Sequence, residues 1–151
     1  MKVYLDNCCY NRPYDDQSQL RISLESQAKL QIQSMIRDRQ IELVSSYVLI
    51  YENSKNPYES RKNAIRSFVK ENVSTYIDVD RSEEVRQIAD RIVATGIKTA
   101  DAYHVASAIV AGSDYFLTTD DRLLKYKTSD IQLIDPTEFI REWEVSRNDD
   151  N

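Results

Sequence analysis

Along this chain, short runs rich in β-branched and aromatic residues alternate with longer runs of helical period, and that alternation restricts the fold more than any other feature. Lys2–Asp6, Ile41–Val44, Val73–Val79, Tyr115–Thr118 and Ile131–Ile134 read as five strands. Between the first two lies a helical run from about Gln17 to Arg37, with Leu20, Leu24, Ala28, Ile32, Met35 and Ile36 on one face and Asp16 as its cap. Ser46 is placed to cap a helix that carries Glu52 and stops at Asn56-Pro57. Pro57 then suits the first turn of the next helix, whose buried side holds Ala64, Ile65, Phe68 and Val69. Asp80 with Glu83 resembles a capping box ahead of Val85, Ile88, Ala89, Ile92 and Val93, while Thr99 can cap an alanine-rich helix that Gly112 ends. A last helix opens at Asp135-Pro136 and carries Phe139, Ile140 and Trp143. Strands separated by helices need crossover connections, so the expected fold is α/β, a mostly parallel sheet covered by helices on both faces.

A chain of 151 residues with 41% hydrophobic content can bury one core, and no repeat or low-complexity linker divides it. One domain is expected over residues 1–145, with the polar tail 146–151 disordered. No apolar stretch is long enough to span a bilayer, and the first residues lack the apolar run of a secretory signal. Cys8 and Cys9 are adjacent, which suits neither a loop-spanning disulfide nor a zinc site. A cytoplasmic protein with no membrane partner is the expectation. The net charge of −5 argues against gripping nucleic acid by a global positive field, yet it leaves room for a local basic rim around an acidic site.

In open parallel sheets, ligands bind outside the carboxyl ends of the strands, so acids predicted there carry more weight than acids elsewhere. Asp6 follows the first strand and Asp120 follows the fourth. Asp101 falls in the first turn of its helix, where the helix dipole favours a carboxylate, and Glu52 rides on the helix that leaves the second strand. All four can share one rim. Two carboxylates about 5 Å apart repel by about 3 kcal/mol at an effective dielectric near 20. Several such pairs rival a whole domain's stability of roughly 5–15 kcal/mol. Such a cluster must take up protons or cations, and hard oxygen ligands that leave room for water suit Mg²⁺ or Mn²⁺. An ion of that kind can generate a hydroxide nucleophile and steady the leaving oxygen of a phosphodiester. Taken singly, each acid has a plainer reading. Asp101 can simply complement a helix terminus, and Glu52 can pair with Lys55 one turn on.

Four segments resemble the PIN-domain family, which includes VapC-like toxin nucleases: VYLDN around Asp6, SSYVLIYEN around Glu52, GIKTADAYHVASAIVAGSDYF around Asp101 and LTTDDRLL around Asp120. The resemblance runs from about Lys2 to Ile134. It implies a three-layer α/β/α fold with a five-stranded parallel sheet of order 3-2-1-4-5, placing Asp6 beside Asp120. It also implies cleavage of single-stranded RNA, a homodimer, and an antitoxin partner. Asp6, Glu52, Asp101 and Asp120 correspond to the family's acidic set, with Asn7 and Thr118 in support. Asp121 competes with Asp120 for the last position. Asn7 and Cys8, together with the long entrance NRPYDDQSQ, depart from the commonest pattern and bear on substrate preference.

Around this set, Arg12, Lys55, Arg61, Lys62 and Arg66 can supply a phosphate-contacting rim, although a solvated helix face explains them nearly as well. Tyr10, Tyr14, Tyr47, Tyr51 and Tyr58 offer faces for unpaired bases or for packing. Ile22 and Leu30 are surplus apolar residues suited to pairing two subunits. His104, the single histidine, lies one turn beyond Asp101, where a packed ring is the plainer reading than a metal ligand or proton carrier. Two other functions compete. A noncatalytic PIN-like module would bind RNA or protein while its acids lie idle. A phosphoacceptor receiver is disfavoured because the first strand ends in one acid and no lysine closes the fifth.

Overall fold

The computed structural model describes residues 1–11 and 18–149, in which five strands form one parallel sheet of order β3-β2-β1-β4-β5. They are β1 (Lys2–Leu5), β2 (Glu42–Ser46), β3 (Val73–Ile77), β4 (Tyr115–Leu117) and β5 (Gln132–Ile134). The helices are α1 (Asn7–Asn11), α2 (Leu20–Arg37), α3 (Tyr47–Ser54), α4 (Glu59–Asn72), α5 (Ser82–Val93), α6 (Thr99–Val110), α7 (Asp121–Leu124) and α8 (Pro136–Asp149).

Alternation along the strands decides which helices cover which face. Val3, Leu5, Leu43 and Leu117 join a core with Ile32, Met35 and Ile36 of α2, Ile65, Phe68 and Val69 of α4, and Phe139 of α8. Tyr4, Val44 and Phe116 join the other core, against Val85, Ala89 and Ile92 of α5 and Ala102, Val105, Ala106 and Ala108 of α6. Val44 and Phe116 are the register partners of Tyr4 on either side. The Tyr4 and Phe116 rings stack with centroids 5.3 Å apart. Each large apolar side chain sealed in this way contributes about 1.5–3 kcal/mol. The small alanines of α6 bring that helix close to the sheet, which later proves decisive for His104.

Several boundaries differ from the sequence expectation, each for a local reason. Asp16, Arg12 and Tyr14 lie outside the described residues. The α2 helix begins at Leu20 behind Gln19, which makes no side-chain cap bond. Its apolar face is also rotated: Leu20 and Leu24 are exposed, whereas Glu25, Ser26 and Lys29 are buried. Leu30 is exposed and Ile22 only partly buried. The third strand ends at Ile77, since Asp78 accepts from the Val79 N–H and opens a 3₁₀ turn over Val79–Arg81. Asp80 therefore lies inside that turn, and α5 starts at Ser82. Lys98, not Thr99, stands at the N-cap of α6. Tyr58, not Pro57, precedes α4. Two expectations hold in detail: Ser46 accepts from the Leu49 N–H as the cap of α3, and Gly112 takes the left-handed conformation that stops α6 (φ 72°). At the other end, residues 146–149, expected to be disordered, continue α8.

The chain leaves β1 toward β2 and β3, then returns to the other side of β1 with β4 and β5. That reversal opens a crevice at the carboxyl ends of β1 and β4. Among the described residues, no helix is long and apolar enough to cross a membrane.

Candidate functional site

Asp6 is the first residue past β1. Its N–H still donates to the Leu117 carbonyl (3.0 Å), so the sheet itself fixes where its side chain begins. The carboxylate is nearly buried and is held at both oxygens. Oδ1 accepts from the Asn7 N–H (2.8 Å); Oδ2 accepts from the Thr118 hydroxyl (2.8 Å) and, more loosely, from the Cys8 thiol (3.4 Å). Thr118 is the equivalent residue past β4, and its Oγ1 in turn accepts from the Asp120 N–H (3.1 Å). One hydroxyl thus ties the two strand ends together. The short α1 helix, unforeseen from sequence, begins immediately after Asp6 and turns Asn7 and Cys8 back toward it.

Asp120 is both a rim acid and a helix cap. Its Oδ1 accepts from the N–H groups of Arg122 (2.8 Å) and Leu123 (3.2 Å) at the start of α7. Asp121 faces elsewhere. It is exposed and pairs with Arg21 (2.8 Å), which also reaches the Thr119 carbonyl (3.2 Å). The Arg21 guanidinium holds the Asp121 carboxyl below the usual carboxylate range.

Glu52 does not pair with Lys55. Its Oε1 accepts from the Asn7 amide (3.1 Å), and its Oε2 is hydrogen-bonded to His104 Nε2. That hydrogen bond is the main reason the Glu52 carboxyl lies below its ordinary value, with Asn7 assisting. His104 is fully packed under α6, and its Nδ1 meets the Tyr4 hydroxyl (2.8 Å). Burial pulls the ring's pKa down. The Glu52 hydrogen bond and the charges of Asp6, Glu52 and Asp101 outweigh it and raise the ring overall.

Asp101 completes the set from the first turn of α6. Burial, followed by the negative charges of Asp6, Asp120 and Glu52, pushes its carboxyl above the ordinary aspartate value. No hydrogen bond to this carboxylate occurs among the described residues, and the field of His104 opposes that repulsion. Asp101 and Asp120 share the wall of a small cleft of about 100 Å³ with Lys98 and Arg122. A larger, apolar cleft of about 440 Å³ adjoins Glu52 and is walled by Tyr47, Val48, Tyr51, Lys55, Ala100 and Tyr103.

Asp101 therefore feels the charges of the other three acids, yet no three acid, histidine or cysteine side chains among the described residues close tightly enough to enclose a cation by themselves. The basic candidates are dispersed. Lys55 lies over the Tyr51 ring (4.4 Å) and Arg61 over Tyr58 (4.3 Å). Lys62 pairs with Glu59 (2.9 Å), while Arg66 is exposed on α4. Lys98 and Arg122, which stand nearer the acids, escaped the sequence reading although each lies within three residues of Asp101 or Asp120. The part played by His104 and Tyr4 also escaped it. The available signal was the spacing of three between Asp101 and His104, which puts both on one side of α6.

A 3-2-1-4-5 parallel sheet with carboxylates gathered at its switch point defines an α/β protein with an acidic rim. The PIN-domain sequence profile matches residues 14–128, and the chain belongs to the PIN-domain family. Similar solved structures include VapBC2 from Rickettsia felis bound to a DNA fragment from their promoter, at 12% identity and TM-score 0.54 over 89% of this chain and 98% of that one. FitAB bound to an IR36 DNA fragment is similar at 18% identity and TM-score 0.55, covering 89% and 95% of the two chains. FitAcB from Neisseria gonorrhoeae follows at 17% identity and TM-score 0.53, covering 89% and 97%. At these identities the likeness is one of fold. No curated protein sequence matches the chain significantly.

Proposed function

We propose that this PIN domain is a divalent-cation-dependent endoribonuclease that hydrolyses phosphodiester bonds of single-stranded RNA. One observation carries the reading: Asp101 is half-buried, burial and then the negative charges of Asp6, Asp120 and Glu52 push its carboxyl up, and no described donor relieves it. PIN domains are in general nucleases, and PIN nucleases use divalent metal ions.

The donor set fits Mg²⁺ or Mn²⁺ better than a cation that needs a closed protein cage. Such ions bind through one or two carboxylates and keep several waters, which suits hard carboxylate oxygens such as those of Asp6 and Asp101. Asp6 and Asp101 would be the central ligands, with Glu52 and Asp120 completing the site. When bound, the ion would supply a lowered water pKa and charge neutralisation at the phosphodiester.

The chain's own residues do the rest. Asn7, Thr118 and Cys8 fix the Asp6 oxygens, and Asn7 and His104 fix those of Glu52. Thr118 couples Asp6 to the backbone of Asp120, so the two strand ends keep their spacing. Lys98 and Arg122 beside the acids are placed to meet phosphate, and the Tyr47, Tyr51 and Tyr103 wall offers faces for unpaired bases. Asp121, committed to Arg21, stays out of the site. The VapBC2 and FitAB complexes support an antitoxin as the natural partner.

Cutting of single-stranded RNA with Mn²⁺ tests the reading directly. Asp6→Asn and Asp101→Asn should each lower the rate by more than about 100-fold, beyond what loss of a supporting residue costs. Equal cutting by wild type and both variants would refute it. The absence of a closed three-acid cage favours one rival, a noncatalytic module with the same fold. That module would show neither cutting nor stabilisation by Mn²⁺.

A further inference from the structure

The hydrogen bonds behind Glu52 form a chain whose polarity can be worked out donor by donor. Leu49 N–H donates to Ser46 Oγ (3.3 Å). Ser46 Oγ lies 2.7 Å from the Tyr4 hydroxyl, which lies 2.8 Å from His104 Nδ1. His104 Nε2 meets Glu52 Oε2. Tyr4 and Ser46 are wholly buried and His104 nearly so, so no bulk water can complete a missing bond.

At one end, an ionised Glu52 offers only acceptors, which makes His104 Nε2 the donor. In the neutral ring Nδ1 is then the acceptor, and Tyr4 must donate to it. The Tyr4 oxygen is left to accept from Ser46 O–H, whose own oxygen accepts from Leu49 N–H. Every proton points toward Glu52 and every group is satisfied. The opposite tautomer fails at both ends, because a lone pair on Nε2 would face a carboxylate and Nδ1–H would drive the Tyr4 proton toward Ser46. The Ser46 proton would then have no acceptor among these groups.

We propose that His104 is a positioning residue for Glu52, locked by Tyr4 and Ser46 in its Nε2–H tautomer so that it pins one carboxylate oxygen while Asn7 pins the other. The Glu52 side chain is still 42% exposed, so the carboxylate is fixed and yet open to the crevice. This explains why a β1 tyrosine carries its hydroxyl through the middle of an apolar core. A phenylalanine would stack on Phe116 equally well but would leave Nδ1 without a partner. The positioning role rests on the nuclease reading above, whereas the tautomer does not.

The chain has one histidine, so nitrogen NMR of the ring in the 151-residue chain needs no assignment. At pH 8.5 wild type should show a single tautomer with the proton on Nε2, and Tyr4→Phe should keep that tautomer with its Nδ1 resonance moved to that of a ring nitrogen that accepts no hydrogen bond. A wild-type proton on Nδ1, or a mixture there, would overturn the relay. For the role in the site, Mn²⁺ binding is compared among wild type, His104→Leu and His104→Gln, with circular dichroism confirming the fold of each. His104→Leu should bind about 10- to 100-fold more weakly, and His104→Gln, whose amide can still donate to Glu52, should recover most of the loss. Equal affinity in the Leu and Gln variants would reduce His104 to packing. If Asp6→Asn also binds Mn²⁺ as wild type does, the nuclease reading fails, and the ring spectrum still judges the relay on its own.

Discussion

Asp6 and Lys29 are both buried charged residues, yet the fold surrounds them in opposite ways. Asp6 is 7% exposed and has hydrogen-bond donors at both oxygens, supplied by Asn7, Thr118 and Cys8. Lys29, on α2, is completely buried, and its Nζ has no hydrogen-bond acceptor among the described residues. It lies over the Tyr10 ring (4.3 Å) and at 5.9 Å from that of Phe68. Burial lowers its pKa to about 7, against the supporting charges of Cys9 and Cys8 and with Arg37 opposing. The fold thus surrounds the Asp6 carboxylate with donors, while it leaves the Lys29 ammonium without an acceptor among the described residues.

That contrast is broken most severely at Lys29. An exposed lysine titrates near 10.5, so in the pH range between about 7 and 10.5 the unfolded chain holds a proton that the folded chain has released. Stability of the wild type should therefore rise with pH across that window, and the penalty is complete below pH 7. It is on the order of 5 kcal/mol when fully present. Lys29→Met fills the same space without the charge and should gain up to that amount in urea unfolding at pH 6, with the gain shrinking toward pH 10. A gain that does not change with pH would mean that Lys29 keeps its proton in the fold.

The smallest effect is expected at Asp121. Its ion pair with Arg21 is solvent-exposed and worth little, so Asp121→Ala should leave both melting temperature and Mn²⁺ binding close to wild type. A large loss of Mn²⁺ binding would instead bring Asp121 into the site and displace Asp120.

Much of this contrast was hidden in the sequence. Strand-end acids were legible because Asp6 and Asp120 follow directly on apolar strand runs, and Ser46 announced its cap by preceding a helix. The resemblance to PIN domains supplied the strand order that puts β1 beside β4. What stayed hidden depends on residues far apart in the chain: Arg21 chooses Asp121 from about a hundred positions away, and Tyr4 reaches His104 because α6 covers the face of the sheet that Tyr4 occupies. Periodicity also misjudged α2. Its Leu20 and Leu24 belong to the expected apolar face, but the helix buries Glu25 and Lys29, a choice that packing against α1, α4 and α8 makes and hydropathy does not.

Thermal unfolding of wild type and Asp101→Asn, each with and without Mn²⁺, tests the central claim that the rim is a like-charge cluster awaiting a cation. Without metal, Asp101→Asn should melt higher than wild type, because the substitution removes the charge that Asp6, Asp120 and Glu52 oppose. With Mn²⁺ the order should reverse, since wild type gains stability by binding and the variant does not. A wild type indifferent to Mn²⁺, or a variant stabilised as much as wild type, would contradict the account.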